Sequence, residues 1–385
     1  MKKQALLFVL LSSLLVTGCQ NEPAKPKAED LGVLDFHTDL MKQYMNDTNW
    51  ENIKEYIPYV SAETSDKSKL LGDVSQPNAL PLKFEEVEDA NKYVVELAKT
   101  EDFANAKKFE TQEKVYNFYN SELGQRYYYR AAVSEEALAK AKVYTFTVTD
   151  NAPRFLHVDG VINFRDAGGW KSSLVENGRV KQGMYYRCAQ FDDTNNASKV
   201  NITDEGKATI KELGIKVDID MRDRPRTQSP ASSDGWEVEV LNGAVASGTE
   251  NYRWEGKNGS DDKIAKTYKK IFEAIAVADQ KPIALHCTHG ADRTGIVSWF
   301  LLGLLGVSKE DCARDYVMTR FAGERAVAPN GSSSEIAKWN SKTEALEGAT
   351  WADKTYKHLN EDFGIEKETL DTIREKFVPG FVAAK

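Results

Sequence analysis

One run of the chain, residues 282–305, predicts a strand, a tight loop and a helix in direct succession. The apolar segment Pro282-Ile283-Ala284-Leu285 predicts the strand, and the apolar segment from Ile296 to Leu305 predicts the helix. Cys287 stands at the entrance of the loop, and Arg293 stands near the first turn of the helix. The run therefore indicates an α/β fold with a candidate functional site at the C-terminal end of a strand.

A loop of this kind directs backbone N–H groups and the positive end of a helix toward one point. That point suits a phosphate dianion. The same field favours the thiolate over the thiol at Cys287. The planar guanidinium of Arg293 can bind two phosphate oxygens. The loop is thus predicted to combine a nucleophile with an anion site.

The loop resembles the Cys-x5-Arg-Ser/Thr signature of the cysteine-dependent protein tyrosine phosphatases. It reads His286-Cys287-Thr288-His289-Gly290-Ala291-Asp292-Arg293-Thr294-Gly295. Two upstream segments are similar to motifs of the bacterial members that also act on phosphoinositides. They are Asn163-Phe164-Arg165-Asp166-Ala167-Gly168-Gly169 and Asp220-Met221-Arg222. The resemblance covers roughly residues 154–380.

The resemblance implies a two-step hydrolysis of phosphate monoesters. The thiolate of Cys287 would attack phosphorus, and water would then hydrolyse the phosphocysteine. Arg293 would bind the phosphate. Thr294 would donate a hydrogen bond to the thiolate, with an ordinary first-turn helix residue as the alternative. The other loop residues are expected to line the substrate phosphate: His286, Thr288, His289, Gly290, Ala291 and Gly295.

Two aspartates compete to protonate the leaving oxygen. Asp292 lies in the loop and matches the acid proposed in the resembling family, so we favour it. Asp220 follows a predicted strand and could enter the site from a separate loop or contact the substrate, and a structural pair with Arg222 or Arg165 is the alternative. Arg165 and Asp166 are also expected near the substrate, and a structural role in their turn is the alternative.

Metal binding is a competing interpretation of the loop. His286, Cys287 and His289 would supply three soft ligands, but no second Cys/His cluster offers a fourth. A buried structural cysteine is the other interpretation, and it leaves Arg293 and Gly290 unexplained at their spacings. We therefore expect neither a metal nor another cofactor.

The substrate is constrained by Ala291, where many members of the resembling family carry a lysine that helps to hold additional phosphates. Its absence favours substrates with few phosphates, either phosphotyrosine protein or phosphoinositide. A phytase-like activity on inositol phosphates and a non-catalytic phosphate-binding surface protein are the alternatives. The formal net charge of −8 disfavours nucleic acid as a partner.

The start of the chain predicts export. Residues 1–19 combine Met1-Lys2-Lys3, an apolar run and Leu15-Val16-Thr17-Gly18-Cys19, which resembles a bacterial lipobox. The resemblance implies that Cys19 is lipidated and anchors the protein to the outer face of a bacterial membrane. An ordinary secreted protein or a retained helical anchor is the alternative. Residues 20–34 are polar and predict a tether.

The remaining chain predicts two folded units. Residues 35–78 suggest short helices with no assigned function. Residues 79–150 hold short aromatic-rich strands and predict a small all-β, fibronectin III-like sandwich. Residues 151–380 predict a tyrosine-phosphatase-like α/β domain with a mainly parallel central sheet flanked by helices. A disulfide between Cys188 and Cys312 is left open by the sequence.

Overall fold

A computed structural model describes most of the two predicted units. The described residues are 27–47, 75–191, 202–221, 239–240, 261–277, 282–287, 289–322 and 335–383. The predicted signal segment, Cys19 and Thr288 lie outside them. No helix within these ranges is long and apolar enough to cross a membrane.

The first unit is built from two β-sheets. Its elements are β1 (Glu29–Leu34), α1 (Asp39–Asn46), β2 (Leu80–Lys83), β3 (Tyr93–Ala98), β4 (Lys107–Thr111), β5 (Val115–Phe118), β6 (Arg126–Ala132), α2 (Glu135–Leu138) and β7 (Tyr144–Val148). The larger sheet has the order β1-β7-β6-β3-β4, and β2 pairs with β5. Leu82 from the small sheet and Val95, Tyr129 and Phe146 from the large one share a single core. This shared core explains why apolar and aromatic residues alternate along these strands.

The predicted tether is wrong at its C-terminal end. Glu29–Leu34 forms β1, which runs parallel to β7, with Glu29 opposite Tyr144 and Leu34 opposite Val148. Most side chains of β1 are exposed, so its sequence has the polarity of a linker. The strand forms because its backbone N–H and C=O groups pair with β7, which an apolar pattern does not reveal. The short helix α1 follows, and the Thr38 hydroxyl caps it by accepting from Met41 N.

The second unit contains a six-stranded sheet surrounded by helices. The strands of this unit are β8 (Arg154–Phe155), β9 (Arg165–Asp166), β10 (Lys171–Ser172), β11 (Gly178–Arg179), β12 (Tyr185–Cys188), β13 (Val217–Asp220), β14 (Glu239–Val240) and β15 (Ile283–His286). Six of them form the central sheet, and β10 and β11 form a separate antiparallel pair. The helices of this unit are α3 (Asp204–Glu212), α4 (Asp261–Val277), α5 (Asp292–Leu304), α6 (Lys309–Val317), a 3₁₀ helix (Met318–Ala322), α7 (Glu335–Glu344), α8 (Trp351–Glu361) and α9 (Lys367–Phe377).

The central sheet places β15 between two parallel neighbours. The strand order is β14-β13-β15-β12-β9-β8. The first four of these strands run parallel, whereas β9 and β8 pair in antiparallel fashion. Helix α5 follows β15, contacts the sheet on one side and contacts α6 and α8 on the other. Every residue of α5 from Thr294 onward is therefore buried, which accounts for its continuous apolar sequence.

The two units are joined by buried contacts. Met41 and Tyr44 of α1 belong to the same hydrophobic core as α5. The guanidinium of Arg314 on α6 donates to the carbonyl of Tyr44 at 2.9 Å and to that of Met45 at 3.2 Å. These carbonyls lie in the last turn of α1, where the Tyr44 carbonyl also accepts from Asp47 N at 3.4 Å, and Arg314 therefore caps that helix from the second unit.

Candidate active site

The loop that follows β15 leads directly into the N-terminus of α5. The strand ends at His286, and the helix begins at Asp292. The N-cap residue Ala291 is buried and has no side chain that caps the first-turn N–H groups. Those groups and the helix dipole are therefore directed at the loop, where they stabilise an anion.

Cys287 is buried at the start of this loop. Burial raises the pKa of its thiol, but the charge of Arg293, the Thr294 hydroxyl and the backbone N–H groups of Thr294 and His289 lower it by more. The pKa therefore lies below its ordinary value, and the thiolate is favoured. By contrast, burial is the main cause that raises the pKa values of Cys188 and Cys312. The three cysteines within the described ranges are free, so Cys188 and Cys312 do not pair.

Arg293 is tied to the neighbouring strand. Its Nη1 donates to the carbonyl of Met221 at 2.6 Å, and Met221 N donates to the carbonyl of His286 at 2.9 Å. Met221 directly follows β13, so the guanidinium is held where the C-terminal ends of β13 and β15 meet. This position brings its charge close enough to Cys287 to lower the pKa of the thiol.

Thr294 lies in the first turn of α5 and is fully buried. Its Oγ1 makes no hydrogen bond of ordinary distance and angle to another described residue. The hydroxyl nevertheless is one of the groups that lower the pKa of Cys287. A hydrogen bond from Thr294 to the thiolate therefore stays a prediction.

The two candidate acids differ in their exposure to solvent. Asp292 is exposed at the start of α5, and its Oδ1 lies 3.5 Å from the hydroxyl of Tyr316. Asp220 is buried at the end of β13, and its Oδ1 lies 3.9 Å from His286 Nδ1. The choice of Asp292 over Asp220 as the general acid therefore stays a prediction.

The back of the loop is held by two side chains that bind its carbonyl groups. The Asn163 amide donates to the carbonyl of His289 at 3.1 Å and to that of Gly290 at 3.3 Å. Arg187 Nη2 donates to the Gly290 carbonyl at 2.8 Å. Because the C=O and N–H of one peptide unit point in opposite directions, the N–H groups that follow these carbonyls point into the loop.

A buried ion cluster lies behind these contacts. Asp315 accepts from Arg165 Nε at 2.8 Å and also from Arg187 Nη1, and Arg165 donates to the amide oxygen of Asn163. Burial raises the pKa of Asp315, but the two guanidinium groups lower it by more, so the carboxyl stays ionised. We call Asn163, Arg165, Arg187 and Asp315 the rear network.

Arg165 and Asp166 are not substrate contacts, and that prediction is wrong. Arg165 is fully buried in the rear network. Asp166 is equally buried and accepts from Arg154 Nη1 at 2.7 Å, Gly168 N at 2.7 Å and Gly183 N at 2.6 Å. Both residues belong to β9 beneath the loop, so the alternative, a structural role, applies.

The other predicted loop residues differ in exposure. His289 is exposed, whereas Gly290, Ala291 and Gly295 are buried. A Cβ on Gly295 would lie 2.6 Å from Cε2 of Tyr316, so this glycine admits the tyrosine ring. Within the described ranges, no three His, Cys, Asp or Glu side chains are grouped as a metal ion would need.

Sequence reasoning missed two members of the rear network. Arg187 lies in the strand Tyr185–Cys188, and Asp315 lies on the buried face of α6. Neither belongs to a recognised motif. The sequence did offer one indication of Arg187, which is the single charged residue of the apolar strand Tyr185–Cys188. A charge buried in a strand needs a buried partner of opposite charge.

Gly290→Ala is expected to destabilise the fold by about 2–4 kcal/mol and to impair the loop. Gly290 has φ +67°, and an added Cβ would lie 2.2 Å from the carbonyl oxygen of Cys188. Gly214→Ala is the matched control, because Gly214 has φ +72° with no atom within 4 Å. It should cost only the strain of the left-handed backbone, about 1 kcal/mol. Urea unfolding measures both variants, and equal losses would contradict the close approach.

The second unit of the chain matches a known protein family. The sequence profile of the tyrosine phosphatase family matches residues 156–379. A tyrosine-protein phosphatase of Nostoc commune is 30% identical over 134 residues, which are 31% of this chain and 45% of that protein. A putative tyrosine-protein phosphatase of Cupriavidus necator is 26% identical over 179 residues, which are 42% of this chain and 62% of that protein. The chain thus spans about half the length of the curated relatives that it matches.

Among solved structures, the chain is similar to TpbA of P. aeruginosa in complex with pTyr. The TM-score is 0.27 at 13% identity, over 46% of this chain and 97% of that one. The family profile, in contrast, covers residues 156–379 of a 385-residue chain, including the whole candidate site. The chain belongs to the tyrosine phosphatase family.

Proposed function

We propose that this protein hydrolyses phosphate monoesters through a phosphocysteine, acting on phosphotyrosine in proteins, on phosphoinositides with few phosphates, or on both. The observation that carries this proposal is the position of Cys287 between β15 and the N-terminus of α5, beside Arg293, whose charge lowers the pKa of the thiol. A nucleophile and an anion site coincide there. The curated relatives are named tyrosine-protein phosphatases, which supports the same class of substrate.

In the first step, the Cys287 sulfur attacks phosphorus in line with the ester oxygen. The S–P bond forms, the P–O bond breaks, and Asp292 gives its proton to the leaving oxygen. In the second step, the Asp292 carboxylate accepts a proton from water as the water oxygen attacks phosphorus. The S–P bond then breaks, inorganic phosphate leaves, and the Thr294 hydroxyl stabilises the departing thiolate.

Charge stabilisation comes from groups that are fixed before the substrate binds. The rear network directs the N–H groups of the loop inward, and Arg293 is anchored on Met221. Preorganised donors of this kind stabilise the charge that develops on the phosphoryl oxygens without reorganising during the reaction.

Asp292→Asn is expected to slow phosphate esters with basic leaving groups by about 10²- to 10⁴-fold, the usual contribution of a general acid. Esters with acidic leaving groups, such as nitrophenyl phosphate, should lose much less because their leaving oxygen needs no proton. The measurement is kcat/KM across a series of aryl phosphates. Asp220→Asn is the matched control. If Asp220→Asn produces the leaving-group dependence and Asp292→Asn does not, the two roles are reversed.

The preference for few phosphates is proposed from Ala291. This residue is buried and carries no charge, whereas a lysine at this place in the resembling enzymes helps to hold further phosphates. A panel of phosphotyrosine peptides, mono- and polyphosphorylated inositides and inositol hexakisphosphate tests it. We expect higher kcat/KM for the singly phosphorylated members. A strong preference for inositol hexakisphosphate would instead identify a phytase-like enzyme.

We further propose that the protein is exported and lipid-anchored at Cys19. The charged start, short apolar run and lipobox-like Leu15-Val16-Thr17-Gly18-Cys19 support this proposal. Labelled palmitate should be incorporated into the wild-type chain and not into Cys19→Ser. Incorporation that survives the substitution would contradict lipidation at this cysteine.

A further inference from the structure

The His286 side chain lies beside two carboxylates of the adjacent strand. Strands β13 and β15 run parallel, with Asp220 opposite His286. Side chains two residues apart in a strand share a face, so Asp218 projects on the same side of the sheet as Asp220. All three residues are buried. Asp218 lies outside the three sequence motifs of the family resemblance.

Both ring nitrogens of His286 face oxygen atoms. Nε2 lies 3.0 Å from Asp218 Oδ1, and Nδ1 lies 3.3 Å from the carbonyl oxygen of Cys287 and 3.9 Å from Asp220 Oδ1. A neutral imidazole has one N–H and one lone pair, so one of its nitrogens would direct a lone pair at an acceptor. The imidazolium removes that lone pair and places a positive charge 3.0 Å from the Asp218 carboxylate, at the distance of an ion pair and without the alignment of a hydrogen bond.

Asp218 needs a positive partner at this depth. Its Oδ1 accepts no well-aligned hydrogen bond among the described residues, and His286 Nε2 lies 3.0 Å away, which is the distance of an ion pair when the ring is protonated. A buried carboxylate without a counter-charge is costly. Cys188, which stands opposite His286 on β12, offers none: burial first, then the charges of Asp218 and Cys287, raise the pKa of its thiol.

We propose that Asp218 is a positioning residue for the nucleophile and that it acts by holding the His286 ring as an imidazolium. The Nδ1–H of the ring then faces the carbonyl of Cys287 and fixes the peptide unit that carries the nucleophile. The ring also places a positive charge one residue from the thiolate. This inference rests on the proposed function and adds a residue to its machinery.

The first test measures the thiolate of Cys287 without turnover. Iodoacetamide reacts with thiolates, so its rate of reaction with Cys287 against pH follows the titration of that thiol. Asp218→Asn removes the charge and keeps the shape. We expect the midpoint to move upward by about one pH unit, and the rate below the wild-type midpoint to fall about tenfold. The kcat for an aryl phosphate should fall with it, while KM changes little.

Asp204→Asn is the control for the loss of a carboxylate, because Asp204 is 98% exposed on α3. It should leave the alkylation profile unchanged. An unchanged profile in a folded Asp218→Asn variant overturns the proposal. If the profile shifts as expected but the wild-type protein hydrolyses no phosphate ester, the positioning role stands and the proposed function fails.

The second test does not depend on the folding of Asp218→Asn. The chain has five histidines, so the ring ¹⁵N resonances of the wild-type protein form a small set. The loss of signals in His286→Gln assigns the pair that belongs to His286. At neutral pH we expect both nitrogens to be protonated, as in an imidazolium. A resonance pair typical of a neutral tautomer overturns the proposal.

Discussion

Cys287→Ser is expected to lower kcat on the order of 10⁴-fold or more, while binding of phosphate esters is retained. The charge of Arg293 and the hydrogen bonds of the loop lower the pKa of the Cys287 thiol, but a serine hydroxyl ionises far outside the reach of the same field. The anion site itself is unchanged by the substitution. Steady-state kinetics on an aryl phosphate and titration with phosphate as a competing ligand measure the two effects separately.

Cys312→Ser is the matched control for this substitution. Cys312 is buried in the core away from the loop, and its sulfur lies 3.7 Å from the carbonyl of Val307, where a hydroxyl can also donate. The folded variant should keep its kcat. Substantial turnover by Cys287→Ser would remove the covalent mechanism from consideration.

Asp315→Asn is expected to destabilise the protein by about 3–5 kcal/mol, the usual cost of breaking a buried ion cluster. The change leaves the guanidinium groups of Arg165 and Arg187 buried without their counter-charge. Arg187 binds the Gly290 carbonyl of the loop and Arg165 holds Asn163, which also binds the loop, so kcat/KM should fall together with stability. Urea unfolding and steady-state kinetics on the same preparation measure the two losses.

Asp150→Asn provides the comparison on the surface. Its ion pair with Arg179 has the same chemistry at 2.8 Å, but both side chains are partly exposed, so the expected loss is below about 1 kcal/mol. Equal losses in the two variants would show that the rear network contributes no more than a surface pair.

The contribution of Asp315 also has a definite dependence on pH. Although burial raises the pKa of this carboxyl, the two arginines lower it further, so its folded pKa lies below the ordinary value of 3.8. A lowered carboxyl pKa stabilises the fold fully above the unfolded value. The contribution is then lost as the pH falls below 3.8 and through the folded value.

The strand, loop and helix of the site could be predicted because each is encoded locally. The apolar run before Cys287 gives β15, and the apolar run after Thr294 gives α5. Strand β1 could not be predicted in the same way. Its side chains are largely exposed, and its hydrogen bonds depend on the free edge of β7 more than a hundred residues away.

The rear network could not be predicted from the sequence for a related reason. Arg187 and Asp315 are separated by 128 positions, and only the fold brings them together. Arg165 and Asp166 were recognised as a motif but assigned to the substrate. A short motif indicates that polar residues are needed at these positions. It does not show whether they support the loop structurally or contact the substrate.

The most direct test of the central claim is the mass of the enzyme after acid quenching during turnover. An aryl phosphate with an acidic leaving group makes hydrolysis of the intermediate the slow step, so the intermediate should accumulate. We predict one phosphoryl group attached to the peptide that contains Cys287, and none in Cys287→Ser. Rapid turnover with no phosphorylated Cys287 peptide at any quench time would contradict the account.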